Sequence, residues 1–291
     1  MGRVVQIVRY KAFAKVNYAL DVVGTRADGY HEIRTVMQTV SLTDEVEIRR
    51  AKKDFELRVE PEEAEVGPHE GNTAYHAWRL VCERAGRELP ARIHLHKNVP
   101  AGAGLGGGSA DAAAVLRGLN DLFGLGLTMG EMREIGSEIG ADVPFLVSGG
   151  TALAEGVGEI LTPAPRPPSH HVLIVKPAAG IDTGKVYRAY DANPIAGRAS
   201  DGVLAALDAG DLYGLAGSLG NDLAPAAKAM VPKAAALERD LLGAGALGAS
   251  VTGSGTAVYG LFRDGAAAER ARQEIDAPFA SVCVPVARGH G

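Results

Sequence analysis

Apolar and polar residues alternate through much of the first hundred or so positions. Val4–Val8, Ala12–Val23, Ile33–Ser41, Asp44–Arg50 and Phe55–Val59 are β-favouring runs separated by turn residues, which predicts a strand-rich start. The period then changes. Over Asn72–Ala85, Ala74, Ala77, Trp78, Val81 and Cys82 recur near every third or fourth residue, which predicts a helix with Asn72 as its N-cap. A strand over Ala91–Lys97, a helix from Ser109 through Leu119 and a helix over Met129–Ile139 follow, the last closed by Gly140 as a left-handed C′ residue. Thr151–Glu155 and Val172–Val175 are further strands, and the Pro-rich stretch PAPRPPSHH (163–171) lies between them. Beyond it Ala and Leu increase. Helices are expected at 183–191, 200–208, 211–219, 222–242 and 265–275, and strands at Gly248–Thr252, Ala257–Phe262 and near Ser281–Val286. The elements predict an α+β chain of two domains, 1–163 and 164–291, divided at the Pro-rich stretch.

The chain has 291 residues, 46% hydrophobic and 22% charged, enough for a sizeable core. The formal net charge of −5 argues against a nucleic-acid footprint, which needs a basic patch. Cys82 and Cys283 lie far apart without metal-like spacing, so free thiols are expected. No apolar run approaches membrane-spanning length, and the N-terminus lacks the pattern of a signal peptide. These features lead to an expectation of bacterial cytoplasm, with a monomer or a homodimer as the state in solution.

Composition leaves the chemistry open, and one segment narrows it. NVPAGAGLGGGSADAAA, 98–114, sets a Gly-rich loop between a strand and a helix start. Glycines let successive backbone N–H groups turn toward one point, and a helix N-terminus adds free donors and partial positive charge. The expected guest is a phosphate chain. The loop is not a Walker A loop, because it ends Gly108-Ser109-Ala110 with no lysine. Gly102, Gly104 and Gly107 also fit the dinucleotide string, which would need a second strand ending in an acid; Asp121 has about the right spacing but ends a helical pattern. Ser109 could cap the helix or ligate a metal beside the phosphates.

Five other places bear on chemistry by their residue types: one strand face, two turns, one helix end and one histidine pair. Lys15 and Asn17 share one face of a strand, either a solvated face or a site. In GTRADGYHEIRT, 24–35, Asp28-Gly29 predicts a hairpin turn, with Tyr30 and His31 at the start of the next strand. Asp142 sits just past a helix end and before an apolar run, as either a turn residue or a perturbed base. Gly253-Ser254-Gly255 is a hairpin turn or a close backbone approach to a ligand. His94 and His96 alternate on a strand without a third ligand, which favours surface histidines.

Together these segments resemble the GHMP kinase family. PAGAGLGGGSADAAA, 100–114, is similar to its phosphate loop; AKVNYALDVVGTRADGYHEIRTVMQTVSLTD, 14–44, to an N-terminal signature within it; GADVPFLVSGGTALAEGVGEILTP, 140–163, to its central segment; and SVTGSGTAVYGLF, 250–262, to its third Gly-rich motif. The resemblance implies a two-domain GHMP kinase fold with an active-site cleft between the domains. It also implies ATP-dependent phosphorylation of a small-molecule alcohol, here one carried on a cytidine diphosphate. By resemblance Asp142 is the catalytic base and Lys15 its partner. Pro100, Ala101, Gly102, Ala103, Gly104, Leu105, Gly106, Gly107, Gly108 and Ser109 hold the ATP phosphates, and Asn72 lies near the adenine or ribose. Asn17 positions the acceptor hydroxyl, His31 meets the cytosine edge, Tyr30 packs beside the ring and Tyr187 stacks on its other face. Thr183 contacts the sugar-alcohol or phosphate region. Mg²⁺ is the implied metal, with Ser109 as its candidate protein ligand. The segment 190–245 is least alike and carries no residue-level expectation.

Overall fold

The computed structural model describes residues 6–61 and 69–287. Its first two strands are much longer than the sequence pattern suggests. β1 (Ile7–Thr25) and β2 (His31–Arg50) pair antiparallel from Ile7 opposite Arg49 to Thr25 opposite His31. The break expected between Ser41 and Asp44 falls at the register shift between Phe13 and Lys15, the one expected between Val8 and Ala12 is paired without any shift, and further shifts at Asn17/Ala19 and Val22/Gly24 bend the strands without ending them. The turn at Asp28-Gly29 forms as expected, with Gly29 at φ 87°. Val4 and Val5, included in the first expected strand, lie outside the described residues.

β3 (Glu56–Glu60), α1 (Thr73–Ala85), β4 (Ala91–His96), α2 (Gly107–Phe123), α3 (Met129–Ile139), α4 (Val143–Ser148), β5 (Thr151–Glu155) and β6 (Ile160–Pro163) complete the first half. β7 (His171–Lys176), α5 (Thr183–Ala192), α6 (Ala199–Ala209), α7 (Leu212–Gly217), β8 (Gly220–Asn221), α8 (Ala224–Met230), α9 (Pro232–Gly243), β9 (Gly248–Val251), β10 (Val258–Phe262), α10 (Gly265–Glu274) and β11 (Phe279–Cys283) make the second. One sheet runs β3-β4-β2-β1-β8, with β5 also on β2 and β6 on β5; the other runs β11-β7-β10-β9. The architecture is therefore α+β. The Pro-rich stretch joins β6 to β7, strands of different sheets, although β8 returns to pair with β1.

Three local expectations need correction. The helix expected at 222–242 is two helices, because Pro232 cannot supply an N–H and biases Val231 toward extended backbone, here φ −131° and ψ 82°. Gly140 does not adopt the left-handed conformation; its φ is 176°, extended backbone, while its N–H still donates to Gly136 O. The last strand is shifted, ending at Cys283, with only Pro285 bridging onward to Val40.

Apolar packing unites the two sheets. Ala14, Val16 and Tyr18 of β1 share a buried cluster with Val172, Ile174, Tyr259 and Leu261 of the second sheet. The Gly-loop residues Ala103 and Leu105, 2% and 1% exposed, insert into the same cluster. The loop is thus wedged by hydrophobic burial between the two layers.

A charged cluster supports the loop from below. The Lys97 ammonium, at the end of β4, donates to Asp44 of β2 and to Asp111 of α2. The second oxygen of Asp44 accepts the Val99 N–H at 2.7 Å, which fixes the start of the loop. Asp111 is 3% exposed, and its Oδ1 has no protein partner. One ammonium thus serves two buried carboxylates. Burial above all, opposed by Lys97 and reinforced by Asp44, pushes the Asp111 carboxyl up to about 7. A raised folded-state value means that this group favours folding at acidic pH and withdraws that contribution as pH rises through the raised value. Asp111→Asn keeps the shape and an acceptor for Lys97 but removes the excess charge. Relative to the parent, the variant is expected to gain about 2 kcal/mol between pH 5.5 and 8.5. Urea unfolding at the two pH values measures this, and an unchanged or opposite difference would contradict it.

Candidate active site

The Gly loop is held open by its backbone. Gly104 and Gly106 have φ of +77° and +71°. A Cβ on Gly104 would run into the Thr252 carbonyl, and one on Gly106 would sit 3.1 Å from Lys15 Cγ. Glycine is therefore needed both for the turn and for the close approach. The loop is tied to both sheets: Lys15 N–H donates to Leu105 O at 2.9 Å, and Ala257 N–H to Ala103 O at 3.1 Å. Helix α2 begins at Gly107, and its N-cap is Gly106 without a side-chain cap. The capping alternative for Ser109 is thus excluded: it is the third residue of the helix, with its side chain on the cavity wall. The amides of this first turn have no intrahelical acceptor, which leaves donors and positive dipole for an anion.

The loop faces a cavity of about 1000 Å³, with Gly102, Gly104 and Ser109 on its wall. Pro100 and Ala101 lead into the loop, and Gly108 O accepts from Thr73 Oγ1 at 2.6 Å at the start of α1. Asn72 is the N-cap of that helix, its Oδ1 taking the Ala74 N–H at 2.9 Å. It is not among the residues lining the cavity.

Lys15 and Asp142 meet on the cavity wall, Nζ to Oδ2 at 3.3 Å. Lys15 is 3% exposed, so its ammonium requires partners to offset desolvation. It has two, Asp142 and Asn17 Oδ1, the latter at 2.9 Å. Asp142 belongs to the start of α4 rather than to the end of α3: it is the N-cap residue, though its side chain makes no cap bond. A carboxylate there meets the favourable end of the helix dipole.

Asn17 is 2% exposed and heavily engaged. Its Oδ1 also accepts from Gly253 N at 2.9 Å and lies 3.1 Å from Thr252 Oγ1, while Nδ2 donates to Thr35 Oγ1 at 2.8 Å. Its backbone carbonyl accepts from the buried Tyr259 hydroxyl at 2.7 Å. The side chain touches the cavity, but most of its hydrogen-bonding capacity is spent inside the protein.

Aromatic and imidazole groups line another part of the same cavity. Tyr30 is 66% exposed beside the hairpin turn. The His31 ring stacks on Tyr187, centroids 4.6 Å apart at 28°, and meets Tyr190 edge-on at 6.2 Å. Burial and the Asp142 carboxylate push the Tyr187 hydroxyl up to about 12, so it stays protonated near neutrality. Thr183 opens α5, its hydroxyl 2.8 Å from Ser254 Oγ, which joins that helix to the turn of the third Gly-rich motif.

The cavity therefore gathers Lys15, Asn17, Tyr30, His31, Ser109, Asp142, Thr183 and Tyr187. Sequence reasoning missed Thr35, Tyr259 and Asp191. Thr252 was visible only as part of a turn motif, because its partner Asn17 is 235 residues away. Asp191 had one signal, its position four residues after Tyr187 on one helix face. Among the described residues no group of three or more His, Cys, Asp or Glu is placed to hold a metal ion. A cation here would depend on phosphate oxygens, with Ser109 as the one protein donor assigned from the sequence. Among the described residues no helix is long and apolar enough to cross a membrane.

Comparison with known proteins places the chain in a family. Residues 72–150 match the GHMP kinases N terminal domain, and 203–281 the GHMP kinases C terminal domain. The 4-diphosphocytidyl-2-C-methyl-D-erythritol kinase of Caldicellulosiruptor saccharolyticus is 44% identical over 253 residues, 87% of each chain. A crystal structure of 4-(cytidine 5'-diphospho)-2C-methyl-D-erythritol kinase superposes with a TM-score of 0.82 at 32% identity, covering 96% of this chain and 99% of that one. Homoserine kinase from Cytophaga hutchinsonii shares the fold at 20% identity, with a TM-score of 0.79 over 99% of this chain and 97% of that one. Domain matches in both halves of the chain, full-length relatives and a common architecture converge: the chain belongs to the GHMP kinase family of small-molecule kinases.

Proposed function

We propose that the protein transfers the γ-phosphoryl group of ATP to the 2-hydroxyl of 4-diphosphocytidyl-2-C-methyl-D-erythritol, in non-mevalonate isoprenoid precursor synthesis in the bacterial cytoplasm. The relatives named for that substrate support the acceptor. One observation carries the chemistry: Lys15 packs its stem against Gly106 at the start of α2 while its ammonium meets Asp142. The anion cradle and a carboxylate base are therefore contiguous. A cavity of about 1000 Å³ has room for two substrates in line.

Phosphoryl transfer asks little covalent chemistry of the protein, so positioning and charge dominate. Gly102 to Ser109 hold the ATP phosphates through backbone amides, and Pro100 and Ala101 set the approach to that cradle. Asn72 lies toward the nucleoside end. Asp142 accepts the proton of the attacking hydroxyl. Lys15 offsets charge developing on the transferred group. Asn17 orients Lys15 and presents its remaining N–H to the acceptor hydroxyl. Tyr30, His31 and Tyr187 receive the cytosine, and Thr183 meets the diphosphate or the sugar alcohol. Mg²⁺ would arrive with the nucleotide, with Ser109 beside it, and would neutralise phosphate charge. The domain division at 163/164 would put the cradle and base on one side and Thr183 and Tyr187 on the other.

Mg-ATP with the cytidine-linked alcohol, and with galactose, homoserine and mevalonate as parallel acceptors, tests the reading by ADP release. Release with the cytidine compound alone is expected; release with another acceptor alone would refute the substrate. Asp142→Asn should lower kcat by about 10²–10⁴ while leaving ATP affinity near that of the parent, since the amide keeps the shape but cannot take the proton. A near-normal kcat would remove Asp142 from the mechanism. His31→Ala should raise KM for the cytidine compound about tenfold or more and change KM for ATP less than twofold; the reverse pattern would exchange the two ends of the cavity.

A further inference from the structure

The His31 ring is constrained on three sides. Its face lies on Tyr187, its edge meets Tyr190, and Nε2 stands 2.6 Å from Asp191 Oδ1. The imidazole side chain is 9% exposed, whereas the Asp191 side chain is 49% exposed on the cavity rim. A carboxylate only accepts, so Nε2 must carry a proton and donate to Asp191. In the neutral ring this leaves Nδ1 with its lone pair, an acceptor and not a donor. Stacking on Tyr187 restricts the ring plane, and the bond to Asp191 prevents the ring from exchanging its two nitrogens by a flip.

We infer that Asp191 is a positioning residue that sets the base specificity of the site by fixing the His31 tautomer. The inference rests on the proposal that His31 meets the nucleobase. A ring nitrogen held as an acceptor pairs with an exocyclic amino group, which cytosine presents at N4. Uracil presents the O4 carbonyl at the corresponding place, and two acceptors would then face each other. A largely buried acceptor left against a carbonyl is penalised more than a missing contact, which is the condition for strong discrimination. Asp191 does not itself need to touch the base. Its partner is the far nitrogen of the ring, and its influence on the near nitrogen follows from the single proton of a neutral imidazole.

Asp191→Asn tests this. The carboxamide can donate to Nε2 as well as accept from it, so both tautomers become available and Nδ1 can also present an N–H. The readout is the ratio of kcat/KM for the cytidine-diphosphate-linked alcohol to that for its uridine-diphosphate-linked analogue. That ratio is expected to fall at least tenfold in Asp191→Asn and to recover in Asp191→Glu, with KM for ATP within twofold throughout. In protein labelled with ¹⁵N-histidine, the ring shifts of His31 should report the Nε2–H tautomer in the parent and a mixture in Asp191→Asn. A variant with lower kcat/KM for both compounds but an unchanged ratio, or an unchanged tautomer, overturns the inference and leaves the kinase reading standing. A parent enzyme that phosphorylates neither compound overturns both.

Discussion

Asn17 Oδ1 gathers the Lys15 ammonium, the Gly253 amide and the Thr252 hydroxyl around one buried oxygen, and the rest of the site is arranged about that point. Thr252 Oγ1 accepts from the Asn17 amide at 3.1 Å and lies 3.3 Å from Gly104 O. The first strand, the third Gly-rich motif and the Gly loop thereby share one hydrogen-bonded network. Such a network is strong in a low-dielectric interior only when its members are satisfied, and each of these donors has a stated acceptor. Loss of the carboxamide would leave a buried ammonium and a buried amide short of partners, a far larger cost than the net value of any one bond.

This arrangement explains why the backbone around the loop is so confined. Gly104 lies against the Thr252 carbonyl, so the loop and the β9–β10 turn approach at distances a side chain would forbid. Hydrophobic burial of Ala103 and Leu105 presses the loop into the shared core from one direction. The Asp44–Lys97–Asp111 cluster secures its base from another. The loop can therefore present its amides without reorganising, which is the physical requirement for electrostatic stabilisation of a developing charge. The excess negative charge of the cluster is tolerated because burial shifts the Asp111 carboxyl toward its neutral form.

Much of the site was legible as local pattern. The Gly loop between a strand and a helix start and the turn before Tyr30 and His31 each depend on backbone conformations that particular residues favour, and these are encoded over a few positions. Errors arose where tertiary pairing overrode local signals. β1 and β2 run through positions that look like strand ends, because each is held by its partner along its whole length and bulges accommodate the mismatch. Ser109 looks like a cap, yet α2 starts two residues earlier, since left-handed Gly106 turns the chain into the helix without a side-chain acceptor. Pro232 is a local signal of the same kind, and it breaks the helical region where proline chemistry requires.

The sequence by itself determined the α+β class and the family, and it singled out the Gly loop and the candidate pair Lys15 and Asp142, because each rests on residue types at short spacing or on motifs quoted whole. Only the tertiary structure decided that Lys15 and Asp142 are 3.3 Å apart, that Asn17 turns most of its hydrogen bonds inward to Thr252 and Gly253, and that His31 is oriented by Asp191, 160 residues further along the chain. Such contacts join elements distant in sequence. Their geometry depends on how two sheets pack about a common core, and a periodic pattern along one strand or helix records which face is buried but not what it is buried against.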